Sequence, residues 1–111
     1  MESVRQQKVA NLLKKDLNEF FRLESRSLCG GALVTATTIR VSVDLRNVNV
    51  FLSIFGVDDK EKVLKDINKK NKWIRGVIGK KMGKQVRVVP EFIFKIDDSL
   101  DYLKSIEDLL D

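Results

Sequence analysis

The sequence predicts a small α+β domain in two layers, with the element order α-β-β-α-α-β. Two observations support this fold class. Apolar residues recur at helical spacing in residues 5–24 and 60–78, and they alternate in two runs between residues 33 and 55. The 111 residues suit one domain and contain no repeat or linker, so residues 1–111 are expected to form a single unit.

The first helix is predicted over residues 5–24, where one stripe of the helix is apolar and the opposite side is basic or polar. The segment 25–31, Ser-Arg-Ser-Leu-Cys-Gly-Gly, is expected to end this helix, because adjacent glycines interrupt regular structure. The residues of the stripe are Val9, Leu12, Leu13, Leu17, Phe20 and Phe21.

Two β-strands are predicted next, joined as a hairpin by a polar turn at residues 43–47. The alternation in residues 33–41 places one set of side chains on a single face, namely Leu33, Thr35, Thr37, Ile39 and Val41. In the second strand the corresponding apolar set is Val48, Val50, Leu52 and Ile54.

A second helical period runs from Lys60 to Ile78, with Asp58 or Asp59 as the expected N-terminal cap. The period falters at Asn68–Lys72, where polar residues surround the helix. We therefore expect two helices joined by a kink or short turn. Gly79 and Gly83 are expected to bracket the C-terminal exit of the second helix, with Gly79 as its cap. Gly76-x-x-Gly79 has the glycine spacing of a KH-domain loop but falls inside the predicted helix.

A third strand is predicted between Val86 and Ile96, and Pro90 favours a sheet edge or a bulge there. Residues 99–110 are expected to form a short terminal helix. The three-stranded sheet would then carry its helices on one face and leave the other more open.

The charge distribution favours binding to a polyanion. The net charge is +5. Residues 97–111 hold six acidic residues and one basic residue, which leaves ten acidic and twenty basic residues in the rest of the chain. A basic body with a short acidic C-terminal segment is attractive to nucleic acid. The alternative is a basic surface that only keeps the protein in solution.

The basic residues are concentrated between Lys69 and Val89, a stretch of the sequence without an acidic residue. A helix beginning after the kink would direct free N–H groups at a phosphate, and neighbouring lysines would add charge. The alternative is a solvated helix face. The basic residues of this stretch are Lys69, Lys70, Lys72, Arg75, Lys80, Lys81, Lys84 and Arg87.

The residues expected at a catalytic or metal site are missing from the sequence. There is no histidine, and Cys29 is the single cysteine, expected to be an inert loop thiol that forms no internal disulfide. The pairs Asp58-Asp59 and Asp97-Asp98 suit turns and caps better than a metal ion. We therefore expect no enzyme activity and no cofactor. Apolar runs are short of a bilayer span and no secretory signal is evident, so a cytoplasmic monomer without membrane contact is expected.

Three aromatic residues leave alternatives open. Trp73 could stack on a base beside the kink, or it could pack against Val77 one turn away. Phe51 and Phe55 could form a stacking platform on the second face of their strand, but partial burial is the expected outcome.

Several motifs together resemble the ribosome-binding factor A family over about residues 5–110. The opening Arg5-x-x-Lys8-Val9-Ala10 is close to that family's Arg-x-x-Arg-Val-Ala. Leu33-Val34-Thr35-x-Thr37, followed by Val41-Ser42-x-Asp44-Leu45-Arg46, is similar to its strand–turn–strand signature, and Val50-Phe51-Leu52-Ser53 continues it. Val89-Pro90-Glu91-Phe92-x-Phe94 and Asp97-Asp98-Ser99-Leu100 are similar to its last strand and exit.

The resemblance implies a type II KH-like domain, α-β-β-α-kink-α-β. It also implies a non-catalytic factor that binds the immature small (30S) ribosomal subunit at 16S rRNA, assists late maturation including 5′-end processing, and is linked to cold adaptation. The family's Ala-x-Gly kink corresponds here to Lys70-Asn71-Lys72, so the small residues are missing, and Asn71 is the residue able to adopt a left-handed conformation. The family's Asp-Pro-Arg before the first strand is also absent.

Two hypotheses follow from the sequence. In the first, the chain is an rRNA-binding assembly factor whose contacts are the eight basic residues above together with Asn71. In the second, it is a protein-interaction module that docks on a ribosomal or translation protein through its acidic segment or open sheet face.

Overall fold

The structure, a computed structural model that describes residues 3–83 and 89–97, has the predicted element order and confirms the α+β fold class. The predicted terminal helix and the strand positions Val86 and Val88 lie outside the described residues. The elements are α1 (Val4–Leu23), β1 (Leu33–Val41), β2 (Asn47–Phe55), α2 (Lys60–Lys69), α3 (Asn71–Met82) and β3 (Glu91–Ile96).

The three strands form one mixed sheet with β2 in the centre. β1 and β2 are antiparallel, with Leu33 opposite Phe55, so the predicted hairpin is confirmed. β3 lies parallel to β2, with Asn47 opposite Glu91. Pro90 comes directly before β3, an edge strand, where the missing N–H of proline costs no ladder hydrogen bond.

The prediction that Leu33, Thr35, Thr37, Ile39 and Val41 share one face of β1 is wrong. The pairing register shifts between Ala36 and Thr38, so Thr37 is the extra residue of a β-bulge. One inserted residue exchanges the two faces of a strand, and Leu33 is consequently 62% exposed. The buried positions of β1 are Val34, Ala36, Ile39 and Val41.

The start of α1 is fixed to the end of β1 by one buried side chain. The Ser3 hydroxyl accepts from the Gln6 N–H at 3.1 Å, and the Gln6 side chain accepts from the Ser3 N–H at 2.7 Å, which forms a capping box. The Gln6 amide also donates to the Val41 carbonyl at 2.8 Å. This bond places the first turn of α1 beside the β1–β2 turn.

Asparagines on the helices bond to backbone groups of both edge strands. On α1, the Asn18 carbonyl accepts from the Ala36 N–H at 2.6 Å and its amide donates to the Ala36 carbonyl at 3.3 Å. On the other side, the Asn71 amide donates to the Phe92 carbonyl at 2.7 Å, and the Asn68 amide makes a longer contact of 3.5 Å with the Phe94 carbonyl. These bonds satisfy groups that an edge strand otherwise leaves open.

The apolar core lies between the helices and one face of the sheet. Phe21 packs edge-on against Phe94, with ring centroids 6.0 Å apart, which joins α1 to β3. α3 buries Ile74, Ile78 and Met82 on the same side.

The expectation that Gly79 ends this helix is wrong. Helix α3 continues to Met82, and Gly83, with φ of 41°, occupies the C-terminal cap. The helix extends this far because Met82, only 1% exposed, continues the buried stripe one turn beyond Ile78. Asp59 caps α2 as expected, since its carboxylate accepts from the Lys62 N–H at 3.0 Å.

The second face of the sheet is open among the described residues, as the sequence predicts. Phe55 is 70% exposed and Ile93 is 47% exposed. Phe51 is half-buried, and the Lys95 ammonium lies 6.0 Å from the centroid of its ring. The prediction of partial burial is thus confirmed for Phe51 and wrong for Phe55.

Candidate nucleic-acid interface

The predicted break in the second helical period is a one-residue turn at Lys70. Its backbone, with φ of −98° and ψ of 13°, is not helical, and its N–H donates to the Ile67 carbonyl at 3.0 Å. Asn71 is already in α3, and Leu45 is the only non-glycine residue with positive φ among those described, so the left-handed alternative for Asn71 is wrong. No side chain caps the N-terminus of α3, and its first turn contains no acidic residue.

The polar run Asn68–Lys72 serves two sides of this turn. The two asparagines face β3 through the hydrogen bonds described above. Lys69, Lys70 and Lys72 are exposed to solvent. The segment that interrupts the helical pattern therefore places three exposed lysines within two residues of the uncapped start of α3.

Four of the predicted site residues form one group, named here the junction lysines: Lys69, Lys70, Lys72 and Lys80. All four are exposed, and none forms an ion pair with another described residue. Free ammonium groups of this kind are available to phosphates, because no protein carboxylate has to be displaced first.

The other predicted site residues are not equivalent to the junction lysines. The Lys81 ammonium lies 3.6 Å from the Glu19 carboxylate of α1, so its charge is partly compensated. Lys84 and Arg87 lie outside the described residues.

Arg75 and Asn71 act as positioning residues for β3. The Arg75 guanidinium donates to the carbonyls of Pro90 and Val89 at 3.1 and 3.2 Å, and the Asn71 amide is bonded to Phe92. Both side chains thus hold the segment that enters β3 against α3. Sequence spacing alone could not reveal this, because the acceptors are backbone atoms 14 to 21 residues away.

A bare patch of helix lies on α3 between two junction lysines. Gly76 is four residues from both Lys72 and Lys80, so the three positions follow each other along one side of the helix. A Cβ atom at Gly76 would have no neighbour within 4 Å. The helix backbone is therefore open to a ligand there, as the absence of a side chain permits.

Trp73 packs on another helix and stays partly exposed, so its stacking on a base remains a prediction. Its ring packs edge-on against Phe20 of α1, with centroids 5.4 Å apart and planes at 68°, and yet 43% of the residue is exposed. This packing partner belongs to α1, whereas the sequence predicts packing against Val77 of the same helix. Trp73 follows the exposed Lys72 directly in the sequence.

The acidic residues and the thiol are engaged elsewhere. No group of three or more His, Cys, Asp or Glu side chains is placed to hold a metal in residues 3–83 and 89–97. Asp97 bonds to the Thr37 hydroxyl at the β1 bulge. Burial, with a smaller contribution from Glu24, raises the pKa of the Cys29 thiol to about 11.

In the described part of the chain, no helix has the length and hydropathy of a membrane span.

A second basic region was not predicted from the sequence. The first turns of α1, the β1–β2 turn and the entry to β3 enclose a groove of about 1060 Å³. Arg5, Lys8 and Arg46 line it, and all three are exposed. Its rim also carries two acidic residues, Asp44 and Glu91. About 40 residues separate its two basic parts, so no local pattern could reveal it.

The fold and the junction lysines define a class of small α+β domains in which a split helix pair, basic at its break, packs on a three-stranded mixed sheet. The family model of ribosome-binding factor A matches residues 5–110. A ribosome-binding factor A of Cytophaga hutchinsonii is 44% identical over 110 residues, which is 99% of this chain and 83% of the relative. This chain belongs to the ribosome-binding factor A family.

Solved structures agree with that assignment at the level of the fold. The crystal structure of ribosome-binding factor A from Thermus thermophilus has a TM-score of 0.68 at 18% identity, covering 82% of this chain and 94% of the other. A Thermus thermophilus homology model, fitted into a cryo-EM map of a complex between 30S and ribosome-binding factor A, has a TM-score of 0.52 at 15% identity. It covers 74% of this chain and 96% of the other.

Proposed function

We propose that this chain is a non-catalytic ribosome-assembly factor that binds the immature small (30S) subunit. Its contact is 16S rRNA, and its role is to assist late maturation, including processing of the 5′ end, in the cytoplasm and as a monomer. Membership of the ribosome-binding factor A family supports the particle as the partner, and a relative in that family is described in a 30S complex. A link to cold adaptation is part of the same proposal.

The exposure of the junction lysines without ion pairs is the observation that carries the proposal. Three of them surround the uncapped N-terminus of α3, whose free N–H groups favour a phosphate. Lys80 extends the charge along α3 beyond Gly76, where a strand of RNA can approach the helix backbone closely. The type II KH-like fold implied by the family resemblance is consistent with binding of a single RNA strand through its backbone.

Charge neutralisation tests the proposal. The variant Lys70→Gln/Lys72→Gln/Lys80→Gln is expected to bind free 30S particles about tenfold more weakly or worse. Its salt slope should be shallower by about 0.7 to 0.9 for each phosphate that the variant no longer neutralises. Co-sedimentation across a series of salt concentrations measures both quantities.

A matched control is available on α1. The variant Lys14→Gln/Lys15→Gln/Arg22→Gln removes the same charge from exposed positions and is expected to keep most of the affinity. If both variants retain the affinity and slope of the unmodified protein, the junction lysines do not contact rRNA and this site assignment is wrong.

The open sheet face supports a second candidate function, docking on a ribosomal or translation protein. Leu33 and Phe55 face each other in the β1–β2 register, and both are largely exposed. The change Phe55→Ser would weaken particle binding if this face were the contact. Under the proposed function the Phe55→Ser protein binds 30S particles normally. Deletion of residues 97–111 tests the acidic segment in the same way, by comparing particle binding with and without it.

A further inference from the structure

We propose that the groove between the first turns of α1, the β1–β2 turn and the entry to β3 is a second RNA contact, which holds one unstacked nucleotide of a single strand. This inference rests on the proposed function, because it takes rRNA to be the ligand. It assigns a role to Arg5, Lys8 and Arg46, which are remote in sequence from the junction lysines.

The size of the groove fits a small ligand. Its volume of about 1060 Å³ is slightly above the range of roughly 300 to 1,000 Å³ found for small-molecule sites, so it has room for a nucleotide. The apolar part of its lining, called its floor here, includes Leu12 and Leu45, both half-buried. A base has two apolar faces, so such a floor can accept it once it has left its stack.

The charges on the rim fit the rest of a nucleotide. Arg5, Lys8 and Arg46 are exposed and form no ion pair with a described residue, so they are free for flanking phosphates. Glu91 is exposed on the same rim, and its carboxylate can accept from the amino group of cytosine or adenine. The described rim is positive overall, with Arg75 as its fourth cation.

The turn that forms one wall is strained and firmly held. Leu45 has φ of 63°, a left-handed conformation that is uncommon for a residue with a branched side chain. Its N–H donates to the Ser42 carbonyl at 2.9 Å, and Asp44 accepts from the Ser42 hydroxyl at 2.6 Å and the Arg46 N–H at 3.1 Å.

The conformation of the β1–β2 turn determines which side chains line the groove. The Ser42 hydroxyl and, to a smaller extent, the Arg46 N–H lower the pKa of Asp44, so its carboxylate stays charged and remains an acceptor in the turn. The conformation places the half-buried Leu45 side chain in the groove. Backbone strain of this kind is concentrated at binding sites.

Two variants separate the charge of the groove from its apolar floor. Arg5→Gln/Lys8→Gln/Arg46→Gln removes three of the four rim cations without touching the core and keeps Arg75, which is bonded to Pro90 and Val89. Leu12→Phe fills part of the floor with all charges kept. The probe is a single-stranded RNA of about twelve nucleotides with 2-aminopurine at its centre, compared with a duplex of the same sequence. Circular dichroism and thermal unfolding check that both variants fold, and Lys14→Gln/Lys15→Gln/Arg22→Gln is the charge-matched control.

The charge variant is expected to bind the single strand about tenfold more weakly, with a salt slope shallower by about 0.7 for each phosphate left without a cation. Leu12→Phe is expected to abolish most of the 2-aminopurine fluorescence change and to leave the duplex affinity unchanged. If the charge variant binds the single strand as tightly as the charge-matched control does, the inference is overturned. If Leu12→Phe does not fold, the charge variant alone decides. Loss of 30S binding with normal single-strand binding also overturns it, because the groove would then dock a protein.

These outcomes are separate from those of the proposed function. If neutralising the junction lysines weakens 30S binding and the groove variant binds single-stranded RNA normally, only the inference about the groove fails. If the groove variant weakens binding and neutralising the junction lysines does not, the assignment of the main contact fails.

Discussion

The side-chain amide of Asn71 donates a 2.7 Å hydrogen bond to the backbone carbonyl of Phe92. This bond ties the first residue of α3 to the edge strand β3, and Arg75 repeats the connection one turn later at Pro90. The turn between α2 and α3 is thus held by side chains that reach the sheet. It needs no small residue at its centre, and Lys70 completes it with φ of −98°.

Replacing Asn71 is expected to loosen this connection. Asn71→Ala should lower the free energy of unfolding by about 1–3 kcal/mol, because the Phe92 carbonyl loses its partner in a half-buried position. Chemical denaturation measures the change. Asn11→Ala, at an exposed position of α1, is the control and should not destabilise the protein; equal effects of the two substitutions would contradict the role given to Asn71.

The two glycines of α3 should respond oppositely to alanine. Gly76→Ala is expected to raise the free energy of unfolding by about 0.5–1 kcal/mol, because its Cβ would meet open space and alanine favours the helix. At Gly79 the added Cβ would lie 2.8 Å from a methyl carbon of Val89, and Gly79→Ala is expected to cost about 1 kcal/mol or more. Thermal unfolding of the pair tests the packing of α3 on the entry to β3; stabilisation by both would show that Val89 is not packed there.

The Cys29 thiol should be slow to react with alkylating reagents. Its pKa is raised from 9.0 to about 11, so at neutral pH the thiolate fraction is about 100-fold below that of an ordinary cysteine. Iodoacetamide labelling should be at least that much slower in the folded protein than in denaturant. Equal rates would contradict the burial of this residue.

The same shift predicts a pH dependence of stability. In the unfolded chain the thiol ionises at its ordinary pKa of 9.0, whereas in the folded protein it ionises near 11. Because the folded state resists ionisation, this contribution is complete below pH 9 and is lost as the pH rises through 11. Denaturation midpoints of Cys29→Ala should show a smaller decline across that range than those of the unmodified protein.

Local sequence patterns predict the elements of this fold well. The strand predicted at residues 33–41 is β1, and the helix predicted at 5–24 is α1 at Val4–Leu23. Spacing of apolar residues is sufficient here because each element buries one face. The same information fails at Thr37, since alternation along one strand does not show a bulge. Beside the bulge, Asn18 of α1 bonds to Ala36.

The sequence predicts that the candidate site is basic, but it does not predict how the side chains of the site are arranged. The sequence shows that the Asn68–Lys72 segment is polar, but only the fold separates the asparagines that bond to β3 from the lysines that face solvent. The groove lined by Arg5 and Arg46 could not be predicted, because the Gln6–Val41 bond brings these regions together across 35 residues.

Site-directed crosslinking to free 30S particles tests the central claim most directly. A photoreactive side chain replaces Lys72, and in a second protein it replaces Phe55 on the open sheet face; the crosslinked component is then identified and its nucleotides are mapped. We expect position 72 to crosslink to 16S rRNA and position 55 to give little rRNA product. Crosslinks from position 72 to a ribosomal protein alone, or rRNA crosslinks from position 55 and none from position 72, would contradict the account.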